Sequence, residues 1–389
     1  MTTPPMRPLE ASLVDLFDHL GIDRAHFAAG QLVPTDWVGL AACYPERIAS
    51  LTLVSPRLRR PELEALCPRL MVLFGDAGPS AQGPAGLLAE LTQAKSLVLR
   101  DYECLPWSDL AADRGAEITS AWLRFLDGLP LAGLGVPEVE GEAAGVSYRI
   151  RGNGPPLVLM PLDLAPAQWE PLIAELSARY STITLGGPLV GVVALLEGRG
   201  RSNYLAAIRA VLDLADIKPG EMVLEVGGGS GVALREIARR TAGANPILDI
   251  DINPYLLREA AALAAREGLA ERIEFRQGSA EALPLADASV DVALSLTVME
   301  EGDADRMMAE LVRVTRPGGA DRRNCALAGH VVVVESTTQP RFASQGGSAR
   351  RSRCWRIADR LRRRKRLPPI LRRRPHGSAL LPTACFRNA

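Results

Sequence analysis

The nine residues Val223-Leu224-Glu225-Val226-Gly227-Gly228-Gly229-Ser230-Gly231 end an apolar run on an acid and place a glycine-dense turn directly behind it. Glycines let a backbone turn tightly and come close to a ligand. Next, Val232, Leu234, Ile237 and Ala238 alternate with Arg235, Glu236, Arg239 and Arg240, the pattern of an amphipathic helix. The N-terminus of such a helix offers free N–H groups to a ligand. A second apolar strand, Ile247 to Ile250, then delivers Asp251 about twenty residues after the last glycine. A carboxylate at a strand tip suits a ribose diol. Strand, glycine turn, helix, strand and acid together make a nucleotide-type cofactor site.

A glycine-rich turn by itself does not say which nucleotide, because dinucleotide folds use one too. The segments that follow narrow the choice. Gly278-Ser279-Ala280-Glu281-Ala282-Leu283-Pro284 precedes Asp287-Ala288-Ser289-Val290-Asp291-Val292-Ala293-Leu294-Ser295. Val298-Met299-Glu300-Glu301 follows, and then a helix ending in Leu311-Val312-Arg313-Val314-Thr315-Arg316-Pro317-Gly318-Gly319. In this order, residues 201–336 resemble class I S-adenosylmethionine-dependent methyltransferases, especially those acting on small molecules. The resemblance implies that Glu225, Gly227, Gly229 and Gly231 surround the methionine part of S-adenosyl-L-methionine and that Asp251 holds the ribose hydroxyls. It implies that Ser279, where the family often has an aspartate, lies near the adenine amino group, and that Ala280 offers its backbone. Asp291 reads as the start of a strand.

Methyl transfer from a sulfonium is an in-line displacement, so alignment supplies much of the rate. An acceptor hydroxyl, thiol or acidic carbon also needs to lose a proton. Glu301, with Glu300 beside it, is the candidate base. Related enzymes often carry Glu-His here, so this chain lacks the side chain whose pKa lies nearest neutrality. Two solvated acids capping the next helix are the alternative reading. Ser295-Leu296-Thr297-Val298 lacks the Asn-Pro-Pro-aromatic pattern of enzymes that methylate adenine or glutamine amines, which points away from those acceptors.

The 389 residues are 47% hydrophobic, enough for two cores. No apolar run is long enough to span a membrane, and the start, Met1-Thr2-Thr3-Pro4-Pro5, has no signal-peptide character. Six scattered cysteines and four scattered histidines show no metal spacing, so no metal site is expected and a reduced, cytoplasmic setting fits.

Residues 1–135 alternate helices and strands and are similar to α/β-hydrolases around and after their nucleophile. The helix from Leu13 leads to a strand at Phe27, and Leu51 to Ser55 and Leu70 to Asp76 are further strands. That family has Gly-x-Ser-x-Gly at the turn bearing its nucleophile. Here Gly30-Gln31-Leu32-Val33-Pro34 stands in its place, and Leu32 has no nucleophilic atom. Asp76 matches the acid, but Asp101-Tyr102-Glu103-Cys104-Leu105-Pro106-Trp107 carries no histidine. Cys104 and His26 read as core residues. A second hydrolase-like piece, within residues 136–200, resembles the beginning of the same family, with strands at Leu157 to Met160 and Thr182 to Leu185 around a helix from Trp169 to Tyr180. The pieces stand in swapped order. One permuted sheet joined by a linker from Pro130 to Glu142 explains this, and so do duplicated halves, one of them truncated. Gly186 to Arg201, rich in glycine, reads as the link onward.

Net charge is zero, but unevenly spread. From Arg341 to the end there are fourteen Arg and one Lys against one acid, Asp359. Arginine clusters bind phosphates, yet the composition of residues 341–389 reads as a disordered basic end, and nucleic acid is not the expected partner. Where the family has a strand directly after Pro317-Gly318-Gly319, the stretch Ala320 to Cys325 intervenes, leaving His330 to Glu335 as that strand. The expected fold class is α/β: a Rossmann-like class I methyltransferase domain, residues 201–340, plus an α/β-hydrolase-like domain lacking its nucleophile. The expected partner is a small-molecule methyl acceptor. A non-catalytic module that binds the cofactor or a partner is the alternative.

Overall fold

The protein is described from a computed structural model, which covers residues 8–30, 35–56, 62–104, 110–201, 203–299, 301–316 and 330–334. Among these residues the chain forms two sheets. The first contains β1 (Ala25–Ala29), β2 (Ile48–Val54), β3 (Leu70–Gly75), β4 (Lys95–Leu99), β5 (Val139–Ala143), β6 (Val146–Arg151), β7 (Pro156–Leu159) and β8 (Ser181–Gly186). Their order across the sheet is β4-β3-β2-β1-β7-β8-β6-β5. Strands β1, β2 and β3 are buried along their whole length, as parallel strands covered by helices on both faces must be, and so is β8, which runs parallel to β7 and antiparallel to β6. Alternate residues feed two cores. Phe27, Leu53, Val72 and Val158 meet Leu13, Leu16, Phe17 and Leu40 on one face. Ala28, Leu73, Leu157 and Leu159 meet Trp122, Trp169 and Leu172 on the other.

Strand β1, from residues 1–135, pairs in parallel with β7, from residues 136–200, so both segments build one sheet. Two segments differ from the sequence reading. Val139–Ala143, at the end of the expected linker, is an edge strand antiparallel to β6. Ala144 and Gly145, with φ of 52° and 80°, make the two-residue turn between them. Positive φ at both central residues is the turn that matches strand twist. The glycine-rich link is likewise structured, because Gly191–Arg199 is a helix whose Val192 and Val193 pack on Tyr255 and Leu256.

The second sheet contains β9 (Val223–Val226), β10 (Ile247–Asp251), β11 (Ile273–Gln277), β12 (Val292–Leu296) and β13 (His330–Val334) in the order β11-β10-β9-β12-β13, all parallel. This is a Rossmann-like α/β layer. Helices Asn203–Ala215 and Val232–Arg240 cover one face through Ile208, Leu212, Leu234 and Ile237. Helix Ala304–Val314 covers the other through Met307 and Leu311. The chain runs outward from β9 to β11, then returns to lay β12 on the other side of β9. The carboxyl ends of β9 and β12 therefore flank the switch point, where open α/β sheets bind ligands. Leu32, Glu300, Pro317 to Cys325, Glu335 and the basic residues 341–389 lie outside the described residues.

Candidate cofactor site

Two strands converge three acids on this crevice. Glu225 on β9 stands beside Asp249 on β10, and Asp251 ends β10 two residues later on the same face. All three are buried. The glycine loop wraps their carboxylates. The Gly228 N–H donates to Asp249 Oδ1 at 3.1 Å and the Gly229 N–H to Asp251 Oδ2 at 3.2 Å. Asp251 Oδ1 accepts from the Asn253 N–H at 2.8 Å. Glu225 Oε2 and Asp249 Oδ2, both buried, have no hydrogen-bond partner among the described residues.

These environments oppose ionisation. Burial, with the Asp251 carboxylate close by, pushes Glu225 up to about 8. Burial and then the charges of Glu225 and Asp251 raise Asp249 well above the usual carboxylate range, against the pull of the Gly228 N–H. Burial also raises Asp251, opposed by the N–H groups of Asn253, Gly229 and Ile252. Three neighbouring buried acids with two bare oxygens suit a ligand that brings positive charge and hydrogen-bond donors.

The loop itself requires glycine. Gly227, Gly229 and Gly231 have φ of 69°, 60° and 79°. A Cβ on Gly229 would also lie 2.9 Å from Leu196, and one on Gly227 would overlap Val298. Val298 follows β12, and its carbonyl accepts from the Glu301 N–H at 3.0 Å. A short turn thus ties Glu301 to a side chain packed on Gly227. Glu301 is exposed. Partial burial of its carboxyl raises its pKa, while Arg199 pulls the other way. Thr297, between β12 and Val298, has φ of 63°, a strained value for a β-branched residue.

Ser279 and Ala280 lie next to the end of β10. The Gly278 N–H donates to the Asp251 carbonyl at 3.1 Å. The Ser279 hydroxyl accepts from the Glu281 N–H at 3.2 Å, and both residues are half-buried. Asp291 sits at the opposite end of β12. It accepts from the Met222 N–H at 2.8 Å and pairs with Arg316 at 2.7 Å, a structural role. A cavity of about 420 Å³ lined by Leu212, Asp216, Ile237 and Asn245 also lies at that far end.

The sequence reading missed Asp249 and Arg235. Asp249 was legible, since Asp249-Ile250-Asp251 puts both acids on one face of a strand. Arg235 falls on the polar side of the helix pattern, yet it is buried. Its Nη1 donates to the Ser230 carbonyl at 2.6 Å, and its Nη2 lies 2.8 Å from both Glu197 carboxylate oxygens.

The fold and the acid-lined glycine loop define a nucleotide-cofactor domain of Rossmann-like type. Residues 223–319 match the family model for a methyltransferase domain, so the chain carries a class I methyltransferase domain. It is similar to the ubiquinone/menaquinone biosynthesis C-methyltransferase UbiE of Acidiphilium cryptum, 38% identical over 113 residues, 28% of this chain and 44% of that protein. The UbiE of Legionella pneumophila strain Corby is 30% identical over 112 residues, 28% of this chain and 45% of that protein. The chain thus spans less than half the length of these relatives. A SAM-dependent methyltransferase from Aquifex aeolicus matches with a TM-score of 0.30 and 21% identity, over 34% of this chain and 66% of that one. At that score nothing is drawn from the likeness. No helix among the described residues is long and apolar enough to cross a membrane.

Proposed function

We propose that the protein transfers a methyl group from S-adenosylmethionine to a small-molecule acceptor. The observation that carries this reading is the pocket of buried acids, two of them with bare oxygens, closed by a loop that only glycine can form. Glu225 and Asp249 face the positive part of the cofactor, and Asp251 holds the ribose hydroxyls. Ser279 and Ala280 line the adenine end. Bound there, the cofactor supplies a methyl group activated by its sulfonium. An acceptor would attack that methyl with an electron pair on a heteroatom or on an activated carbon, and the sulfur would leave with the carbon–sulfur bonding pair as a neutral thioether. Glu301 takes the proton that the acceptor loses. The names of the relatives point to carbon methylation, so precursors of ubiquinone or menaquinone are the first acceptors to test.

The first sheet belongs to the reading as a permuted hydrolase-like lobe without catalytic machinery, in a cytoplasmic protein. Support comes from the parallel pairing of β1 with β7, which places the later piece beside the earlier one. Cys104 is buried, and burial pushes its thiol up, away from the reactive thiolate. Asp76 is occupied by Arg100 and the Asp101 N–H. The Glu-Glu pair at 300–301, where related enzymes often carry Glu-His, lacks the side chain whose pKa lies nearest neutrality and favours the second reading, a module that binds cofactor without turnover. Titration calorimetry with S-adenosylmethionine, followed by a labelled-methyl screen of candidate acceptors, separates the two. Absence of binding refutes both, and binding without any methylated product favours the module.

A further inference from the structure

The glycine loop is held in part by residues outside the stretch that matches the methyltransferase family. Leu196, on helix Gly191–Arg199, is the side chain nearest to where a Cβ on Gly229 would stand. Its neighbour Glu197 reaches under the loop to Arg235, and both side chains are nine-tenths or more buried. Arg235 also lies 3.1 Å from the carboxylate of Glu267 through its Nε. We propose that Glu197 and Arg235 are positioning residues for the cofactor loop, and that through them the helix leading out of the first sheet sets how well that loop is formed. This rests on the loop being the cofactor site.

The physical case follows from where the charges lie. Arg235 fixes the Ser230 carbonyl, and thereby the peptide that enters the left-handed Gly231. It can do so only while its own buried charge is balanced. Glu197 supplies that balance at 2.8 Å, whereas Glu267 is a third exposed and touches only the Nε edge. Without the Glu197 charge, the guanidinium is drawn towards Glu267 and solvent, and the Ser230 carbonyl loses its donor. The last peptide of the loop is then held through its N–H alone, which donates to the Gly228 carbonyl at 2.9 Å, and its carbonyl is left to reorient. The same helix is anchored to the first sheet's end of the molecule. Val192 and Val193 pack on Tyr255, whose hydroxyl accepts from the Gly187 N–H at 3.1 Å. Asn253, which donates its N–H to Asp251, also donates from Nδ2 to the Leu164 carbonyl at 3.0 Å. Loop, ribose acid and first lobe therefore share one set of contacts.

The test uses the full chain and two variants, Glu197→Gln, which keeps shape and removes charge, and Glu197→Asp, which keeps charge. Amide hydrogen exchange is followed without cofactor, and S-adenosylmethionine affinity is measured by titration. In Glu197→Gln, amides of residues 227–231 should exchange about tenfold faster and affinity should fall about tenfold, the scale of one lost charge-assisted bond. Amides of β2 should be unchanged. Glu197→Asp should recover most of both effects. Exchange and affinity within about twofold of the parent in Glu197→Gln would overturn the proposal, as would equal losses in both variants, which mark a packing role alone. Should the parent protein fail to bind S-adenosylmethionine, the functional reading falls, while loop exchange still decides whether Glu197 and Arg235 order the loop.

Discussion

Both sheets bury titratable side chains on interior strands, and the comparison separates a core from a site. In the first sheet each buried group faces at most one charged neighbour: Arg24 acts on His26, and Asp163 on Cys104, which also has the Ser55 hydroxyl beside it. His26 on β1 bonds the Ser50 hydroxyl at 2.8 Å, and burial, helped by Arg24, lowers it to about 4, so it stays neutral. Cys104 is likewise held in its neutral form. In the second sheet Glu225, Asp249 and Asp251 are buried together; the Asp251 charge makes ionisation of Glu225 harder, and both make that of Asp249 harder. A neutral group, even one such as His26 whose Nε2 is bare, buries no charge. Three crowded acids remain unfinished until something positive arrives, and the two bare oxygens mark where.

The most severe way to break the comparison is to fill the loop. Gly229→Val places a branched side chain at a φ of 60° and against Leu196. Binding of S-adenosylmethionine should fall below detection by calorimetry, with only a modest loss of thermal stability. Normal binding would show that the loop does not hold the cofactor. Asp251→Ala removes charge-assisted bonds worth roughly 1.5–3 kcal/mol. Affinity should drop about ten- to a hundredfold while circular dichroism stays unchanged, and an unaltered dissociation constant would move the ribose elsewhere.

Acid–base behaviour sharpens the contrast. Glu225 binds its proton more tightly folded than unfolded, with a pKa of about 8 against an ordinary 4.5. Its contribution to stability is therefore full below the ordinary value and is lost as pH rises through about 8. Asp249 acts in the same direction. The cofactor-free protein should lose thermal stability between these values, on the order of a few kcal/mol, and Glu225→Gln should flatten the profile. A flat profile in the parent would contradict the crowded-acid picture. The smallest effect belongs to the first sheet. A fluorophosphonate probe should label no serine, and ester turnover should stay at background. Labelling at any site would restore a catalytic role to that half.

What the sequence made legible follows from which interactions are local. The run from Val223 to Asp251 writes strand, turn, helix and strand with turn glycines and short-range periodicity, and each element stands where the pattern puts it. The strands of the first sheet around Phe27, Leu51, Leu70, Leu157 and Thr182 were readable as apolar runs. Two kinds of feature were hidden. Burial of Arg235 depends on Glu197, thirty-eight residues earlier, and no helical pattern carries a partner from another element. The helix Gly191–Arg199 was masked by its glycines, which lower helix propensity, and tertiary packing of Val192 and Val193 overrides that. The edge strand Val139–Ala143 was likewise hidden by an exposed, acidic composition, and pairing with β6 makes it a strand.

The pairing of β1 with β7 also fixes a timetable. β1 is an interior strand, yet one of its two neighbours lies about 130 residues downstream. During synthesis, β1 to β4 exist for much of that interval with one flank of β1 uncovered, an invitation to pair with other nascent chains. The sheet becomes self-protecting only when Pro156–Leu159 has left the ribosome. Expression of residues 1–135 alone should accordingly give aggregated material, whereas residues 1–200 should stay in the soluble fraction. Equal solubility of the two fragments would show that β1 needs no such late cover.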